Sequence, residues 1–216
     1  MLDLQKKTLV FDFGNVLLNL DHKRCLDTFN NTLDVTWDIN NYPERISKAI
    51  QAYEQGQITD DSFLQVFEQY NTQVKPKELI KAWNSILTDL PQARLDMLEA
   101  LRSDYNLCLL SNINNLHHNW INTYLLNKLK IENFEQRFFD KVFYSHLIKK
   151  RKPNLNIYHH VSLECKVRLN DILFIDDMQI NIAAAKKYGW KVMRHDPSDE
   201  ISELITKYIK ATWTKE

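Results

Sequence analysis

The chain has 216 residues, with 28 basic (Lys, Arg) and 28 acidic (Asp, Glu) side chains, and its formal net charge is zero at pH 7. Such a balance offers no electrostatic reason to expect a nucleic acid or an anionic membrane as partner. The length suffices for one well-buried domain with an insertion of moderate size. The three cysteines, Cys25, Cys108 and Cys165, lie far apart without a CxxC pair, which argues against a disulfide framework or a zinc site.

The first element in chain order is the apolar run Thr8-Leu9-Val10-Phe11, which ends on Asp12 and is followed at once by the turn residues Gly14 and Asn15. A short strand-forming run of this kind reads as a buried, parallel strand. Asp12 interrupts the only early apolar stretch, so neither a signal peptide nor a membrane span is expected, and a soluble cytoplasmic protein is. From Asp21 to Asp89 only helical patterns follow. Ile46, Ala49, Ile50 and Tyr53 make one apolar stripe, closed by Gly56. Phe63, Leu64, Val66, Phe67 and Tyr70 make the next, with Thr59 as N-cap and Asp60 and Asp61 in the first turn. Lys77 to Leu87 reads as a third helix, carrying Trp83.

After Pro91 the texture changes to strand–helix alternation. Leu95, Leu98 and Leu101 belong to a helix, Leu107–Leu110 to a strand ending at Ser111, and Val142–Tyr144 to a strand. A helix follows Pro153, a strand covers Asp171–Ile175, and an alanine-rich helix stops at Gly189. Trp190–Arg194 supplies a last strand and Ile201–Ile209 a last helix. This alternation predicts an α/β fold with a doubly wound, mostly parallel sheet and an all-α insertion after the first strand. The expected core is 1–20 and 90–216, and the insertion 21–89.

Reactive side chains gather at the predicted strand ends: Asp12, then Ser111-Asn112, then Asp176-Asp177, with Lys152-Pro153 just ahead of a helix. Parallel strands bring such residues to one edge of the sheet. Two carboxylates about 4 Å apart repel by roughly 4 kcal/mol at an effective dielectric near 20, so three need cations beside them. A lysine and a hard divalent ion meet that need, which points to Mg²⁺. A carboxylate nucleophile, a hydroxyl, a lysine and Mg²⁺ together suit phosphoryl transfer.

The segments FDFGNVLL, LLSN, RKPNLNIY and FIDDMQIN occur in an order and spacing that resembles the haloacid dehalogenase-like hydrolase superfamily. Receiver domains use similar groups, but their acidic pair precedes the phosphorylated aspartate. The resemblance implies a Rossmann-like core with a helical cap. It makes Asp12 the nucleophile, with Ser111 and Lys152 completing the catalytic set. Asn15, Ser111, Asn112 and Lys152 would bind a small phosphorylated substrate. Asp12, the Gly14 carbonyl, Asp176 and Asp177 would hold Mg²⁺, and Asn181 would orient the acidic loop. Most phosphatases of the superfamily carry a general acid/base aspartate at the position of Gly14. Its absence leaves three readings: a phosphatase for good leaving groups, a 2-haloacid dehalogenase-type hydrolase, or an inactive binding protein. FxFGNVLL, SNINNLH and YEQGQITDDSF look most like the α-D-glucose-1-phosphate phosphatase branch, which shares the glycine, so a sugar phosphate such as glucose 1-phosphate is the expected substrate.

Other candidates have plainer readings. Lys149-Lys150-Arg151-Lys152 reads as a solvated turn in which Lys152 alone is functional. His117 reads as a support residue and His118 as a surface residue, Cys108 as core, and Trp83, Tyr53 and Tyr70 as packing within the insertion. The oligomeric state has no signature in the sequence.

Overall fold

The computed structural model describes residues 6–38 and 41–213. Residues 1–5 and 214–216 of the expected core, and 39–40 of the expected insertion, lie outside the described residues. Five strands, β1 (Thr8–Phe11), β2 (Asn106–Ser111), β3 (Lys141–Tyr144), β4 (Ile172–Asp176) and β5 (Lys191–Arg194), form one sheet in the order β3-β2-β1-β4-β5. All four pairings are parallel, with Leu9 opposite both Leu107 and Leu173.

The sheet is buried on both faces, and strand periodicity decides which residue goes where. Leu9, Phe11, Leu107, Leu109, Leu173 and Ile175 join one apolar cluster, while Val10, Cys108, Leu110, Ile172 and Phe174 join the other. Helices α5 (Gln92–Leu101), α6 (Asn115–Asn127), α7 (Phe134–Phe138) and α11 (Ile201–Trp213) cover the first face. Helices α9 (Leu155–Cys165) and α10 (Gln179–Tyr188) cover the second, and the short α8 (Ser145–Ile148) follows β3. The fold is the doubly wound α/β sandwich expected of the sequence.

Helices α1 (His22–Leu33), α2 (Glu44–Glu54), α3 (Asp60–Glu68) and α4 (Pro76–Asn84) lie between β1 and α5 in the chain. They bury a separate aromatic cluster in which Phe63 stacks on Tyr53 and Phe29 on Phe67, with Trp83 against both Phe29 and Phe63. Thr59 caps α3 as predicted, its hydroxyl accepting from the Ser62 amide at 3.2 Å.

Some boundaries differ from the sequence reading. The helix expected over Lys77–Leu87 is α4, which starts at Pro76 and ends at Asn84; beyond it the Ser85 and Leu87 carbonyls accept from Arg24 of α1. Asp171, expected in the strand, sits in a 3-10 turn before β4, whereas α9 follows Pro153 as expected. Helix α6 escaped prediction because its asparagines and histidines are weak helix formers. Its start is set by the Asn114 side chain, which accepts from the His117 amide at 3.0 Å. Cys108 and Cys165, distant in sequence, place free buried thiols 3.7 Å apart between β2 and α9. No helix among the described residues is long and apolar enough to cross a membrane.

Candidate active site

The strand order reverses direction at β1: β2 and β3 lie on one side of it, β4 and β5 on the other. Open α/β sheets form their ligand crevice at the carboxyl ends of the strands flanking such a point. Asp12 follows β1 there, Ser111 ends β2, and Asp176 ends β4 with Asp177 next. Oxygen atoms from Asp12, Asp176 and Asp177 all lie within 4.8 Å of one another.

Lys152 reaches into this group from the α8–α9 connection. It is 1% exposed, and its ammonium donates to Asp12 Oδ1 at 2.8 Å, to Asp176 Oδ2 at 2.6 Å and to the Leu110 carbonyl at 3.0 Å. Three carboxylates against one ammonium leave two negative charges in a largely buried site. The donor set therefore fits a hard divalent cation held by oxygen ligands.

Each acid is differently held. Asp12 takes the Phe13 amide on Oδ1 at 2.7 Å. Burial pushes its carboxyl well above the usual carboxylate range; Lys152 opposes this and the two neighbouring acids add to it. Asp176 is fully buried and takes the Met178 amide at 2.8 Å and the Asn181 amide group at 3.0 and 3.1 Å, so Asn181 holds this carboxylate directly. Asp177 is pushed upward chiefly by burial, with Asn15 opposing. For Lys152, burial alone works to lower the ammonium's affinity for its proton, but Asp12 and Asp176 outweigh it and the net direction is upward. A lysine so paired is charged throughout the physiological range.

The structure brings every sequence-predicted site residue to this edge, though two side chains are engaged otherwise than expected. Asn15 donates to Asp177 Oδ2 at 3.1 Å and accepts from the Leu20 amide at 3.3 Å, so its side chain braces the acidic pair. Asn112 brackets the main chain of Lys152, donating to its carbonyl and accepting from its amide, both at 2.9 Å. A Cβ on Gly14 would lie 2.7 Å from Leu20 Cδ1, the tip of a side chain that would have to shift to admit it.

The basic run is not a solvated turn. Arg151 pairs with Glu54 of α2 at 2.7 and 3.1 Å, and Lys149 donates to the Gly56 carbonyl at 2.6 Å. These bonds tie the helical layer to the lysine-bearing loop. The loop after β2 is tied as well: the Trp83 indole donates to Asn114 Oδ1 at 3.2 Å, Asn115 donates to Asp60 at 2.9 Å, and the Leu116 amide donates to the Tyr53 hydroxyl at 3.1 Å. Sequence reasoning missed Glu54, Arg151 and Asn114 because each acts through a partner remote in the chain. His117 is a support residue as expected, stacked on Trp83; His118 is half-buried against Tyr144 rather than a surface residue.

The chain belongs to the haloacid dehalogenase-like hydrolase family, whose model matches residues 9–194. It is 25% identical over 209 residues to a D-ribitol-5-phosphate phosphatase of Bacteroides thetaiotaomicron, covering 95% of this chain and 99% of that one. A solved family enzyme from the same organism, in complex with magnesium and inorganic phosphate, superposes with a TM-score of 0.80 at 30% identity, covering 92% of this chain and 98% of the other. A family hydrolase of Porphyromonas gingivalis shares the fold at a TM-score of 0.79 and 23% identity, covering 95% and 98% of the two chains.

Proposed function

We propose that the protein is a Mg²⁺-dependent phosphatase of small phosphorylated metabolites, working through an aspartyl-phosphate on Asp12. The carrying observation is the buried constellation of Asp12, Asp176 and Asp177 around the Lys152 ammonium. The magnesium and phosphate in the related enzyme's structure, and the phosphatase relative, support the same reading. Asp12, Asp176, Asp177 and the Gly14 carbonyl would hold Mg²⁺, which when bound offsets the carboxylate charge and that of the phosphoryl oxygens.

In this reading a carboxylate oxygen of Asp12 attacks phosphorus, the ester oxygen departs, and water later cleaves the acyl phosphate to release inorganic phosphate and restore Asp12. Lys152 and the Ser111 hydroxyl stabilise charge on the transferring group. Asn112 positions Lys152, Asn15 positions Asp177 and Asn181 positions Asp176. Residues 21–89 form a cap over a core of 1–20 and 90–216, excluding bulk water during transfer. A dehalogenase has no use for a divalent-cation site of three acids. The free thiols suit a reducing cytoplasm.

Gly14 supplies no side chain to protonate the departing oxygen, so esters of comparatively acidic hydroxyls are the easier substrates. Anomeric sugar phosphates such as glucose 1-phosphate meet this condition, because the ring oxygen withdraws electrons from the anomeric hydroxyl; aryl phosphates meet it too. The test is phosphate release from a panel of phosphomonoesters. Turnover requires Mg²⁺, and Asp12→Asn lowers kcat by on the order of 10⁴-fold or more with the fold intact by circular dichroism. Undiminished turnover in the purified variant removes Asp12 from the nucleophile's role.

A further inference from the structure

A cavity of about 350 Å³ opens among α1, α2, α3, α4 and the core loops, within the ordinary range of small-ligand sites (roughly 300–1,000 Å³). It abuts the phosphoryl-transfer residues: Asn112, which brackets Lys152, and Leu20, which packs beside Gly14, both stand in its wall. Most of the wall is apolar, with Leu26, Ile46, Ile50, Phe67, Trp83 and Ile86 contributing.

Among the wall's polar side chains, Asn112, His117 and Trp83 are engaged already. Both polar ends of Asn112 hold the Lys152 main chain. His117 uses one ring nitrogen on Asn114 at 3.1 Å and the other on the Trp83 carbonyl at 3.2 Å. The Trp83 indole N–H is bound to Asn114, and Glu54 gives Oε2 to Arg151. What remains is the second Glu54 oxygen, the exposed His22, the Trp37 indole and the Tyr42 hydroxyl. A sugar or polyol carries several hydroxyls, and each one buried without a partner lowers binding by on the order of tenfold. An apolar group gains by leaving water for the same wall.

We propose that this cavity receives the leaving group of the substrate and selects monophosphate esters of compact, predominantly apolar alcohols over those of sugars and polyols. The assignment rests on the phosphatase reading, whose active-site residues the cavity adjoins.

Four esters of primary alcohols remove leaving-group acidity as the main variable: benzyl phosphate, 3-methylbutyl phosphate, glucose 6-phosphate and D-ribitol 5-phosphate. With the full chain and saturating Mg²⁺, kcat/KM for the first two exceeds that for the last two by about tenfold or more. Equal values, or a preference for the hydroxylated pair, overturn the proposal. Ile50→Asn, which places an amide in the wall, narrows the benzyl-to-ribitol ratio by about threefold or more; an unchanged ratio in the folded variant also overturns it. Binding separates this idea from the reading beneath it. If no ester is turned over, the phosphatase reading fails, yet benzylphosphonate still binds the Mg²⁺-loaded protein about tenfold more tightly than inorganic phosphate by calorimetry. Equal affinity of the two anions overturns the cavity assignment whatever the activity.

Discussion

At the edge of the sheet, Asp12, Asp176 and Lys152 are buried, charged and joined by bonds of 2.6 and 2.8 Å. In the helical layer above, Phe29, Phe63, Phe67 and Trp83 are buried too, but they pack as rings, with centroids 4.8–6.2 Å apart. The first region derives its properties from charge held in low dielectric, where geometry must be met closely. The second derives its properties from apolar area and shape, which tolerate substitution while volume is kept. Under the proposed function the contrast divides the labour: the sheet edge would set the reaction and the helical layer what can undergo it. Ties such as Glu54–Arg151 and Trp83–Asn114 keep the two in register.

The charged region breaks most completely. Chelation of Mg²⁺ lowers kcat by about 10³-fold or more, and re-addition of Mg²⁺ restores it; Asp176→Ala raises the Mg²⁺ concentration needed for half-activity. Ca²⁺ does not substitute, since its longer and more numerous bonds suit the site poorly. Full activity in excess chelator would end the claim that three acids at one sheet edge serve a cation.

The aromatic region responds through stability. Trp83 is 8% exposed, packs on Phe29, Phe63 and His117, and bonds Asn114. Trp83→Ala costs about 3–5 kcal/mol by the usual cavity term, read from urea unfolding. A loss confined to the helical layer shows as a second transition; a single shifted transition shows that the ties make one cooperative unit.

Glycine 14 gives a smaller kinetic effect. Without an acid at that position, kcat/KM for glucose 1-phosphate exceeds that for glucose 6-phosphate by about 10–100-fold. The opposite order would mean that a cap residue or a bound water supplies the proton.

The smallest effect is a pH dependence of the cap–core seam. Burial lowers His117 to a pKa of about 4, and burial with the nearby His118 lowers His146 to about 4. In the unfolded chain both titrate near 6.5. Between these values the unfolded state binds more protons, so both groups make stability fall as pH drops from 6.5 toward 4, and neither contributes a slope above that window. Each contribution is on the order of 1–2 kcal/mol after allowing for solvent screening. The Mg²⁺-loaded wild type should therefore lose more stability between pH 6.5 and 4.5 than His146→Phe. Parallel pH curves for the two proteins would remove His146 from the seam.

The strand ends were legible from sequence alone. Thr8–Phe11 ending in Asp12, Leu107–Leu110 ending in Ser111, and Asp171–Ile175 followed by Asp176 are local patterns, and parallel pairing necessarily aligns their carboxyl ends. The helical texture of 21–89 was legible for the same reason, since periodicity and an N-cap such as Thr59 act within one turn. Tertiary structure decided what local patterns do not carry. It turned Lys149 and Arg151 toward Gly56 and Glu54, set Asn112 on Lys152 and Asn15 on Asp177, and brought Cys108 against Cys165. It also enclosed the apolar cavity, because a cavity belongs to the space between elements, and that space depends on how their faces meet rather than on the order of residues along any one of them.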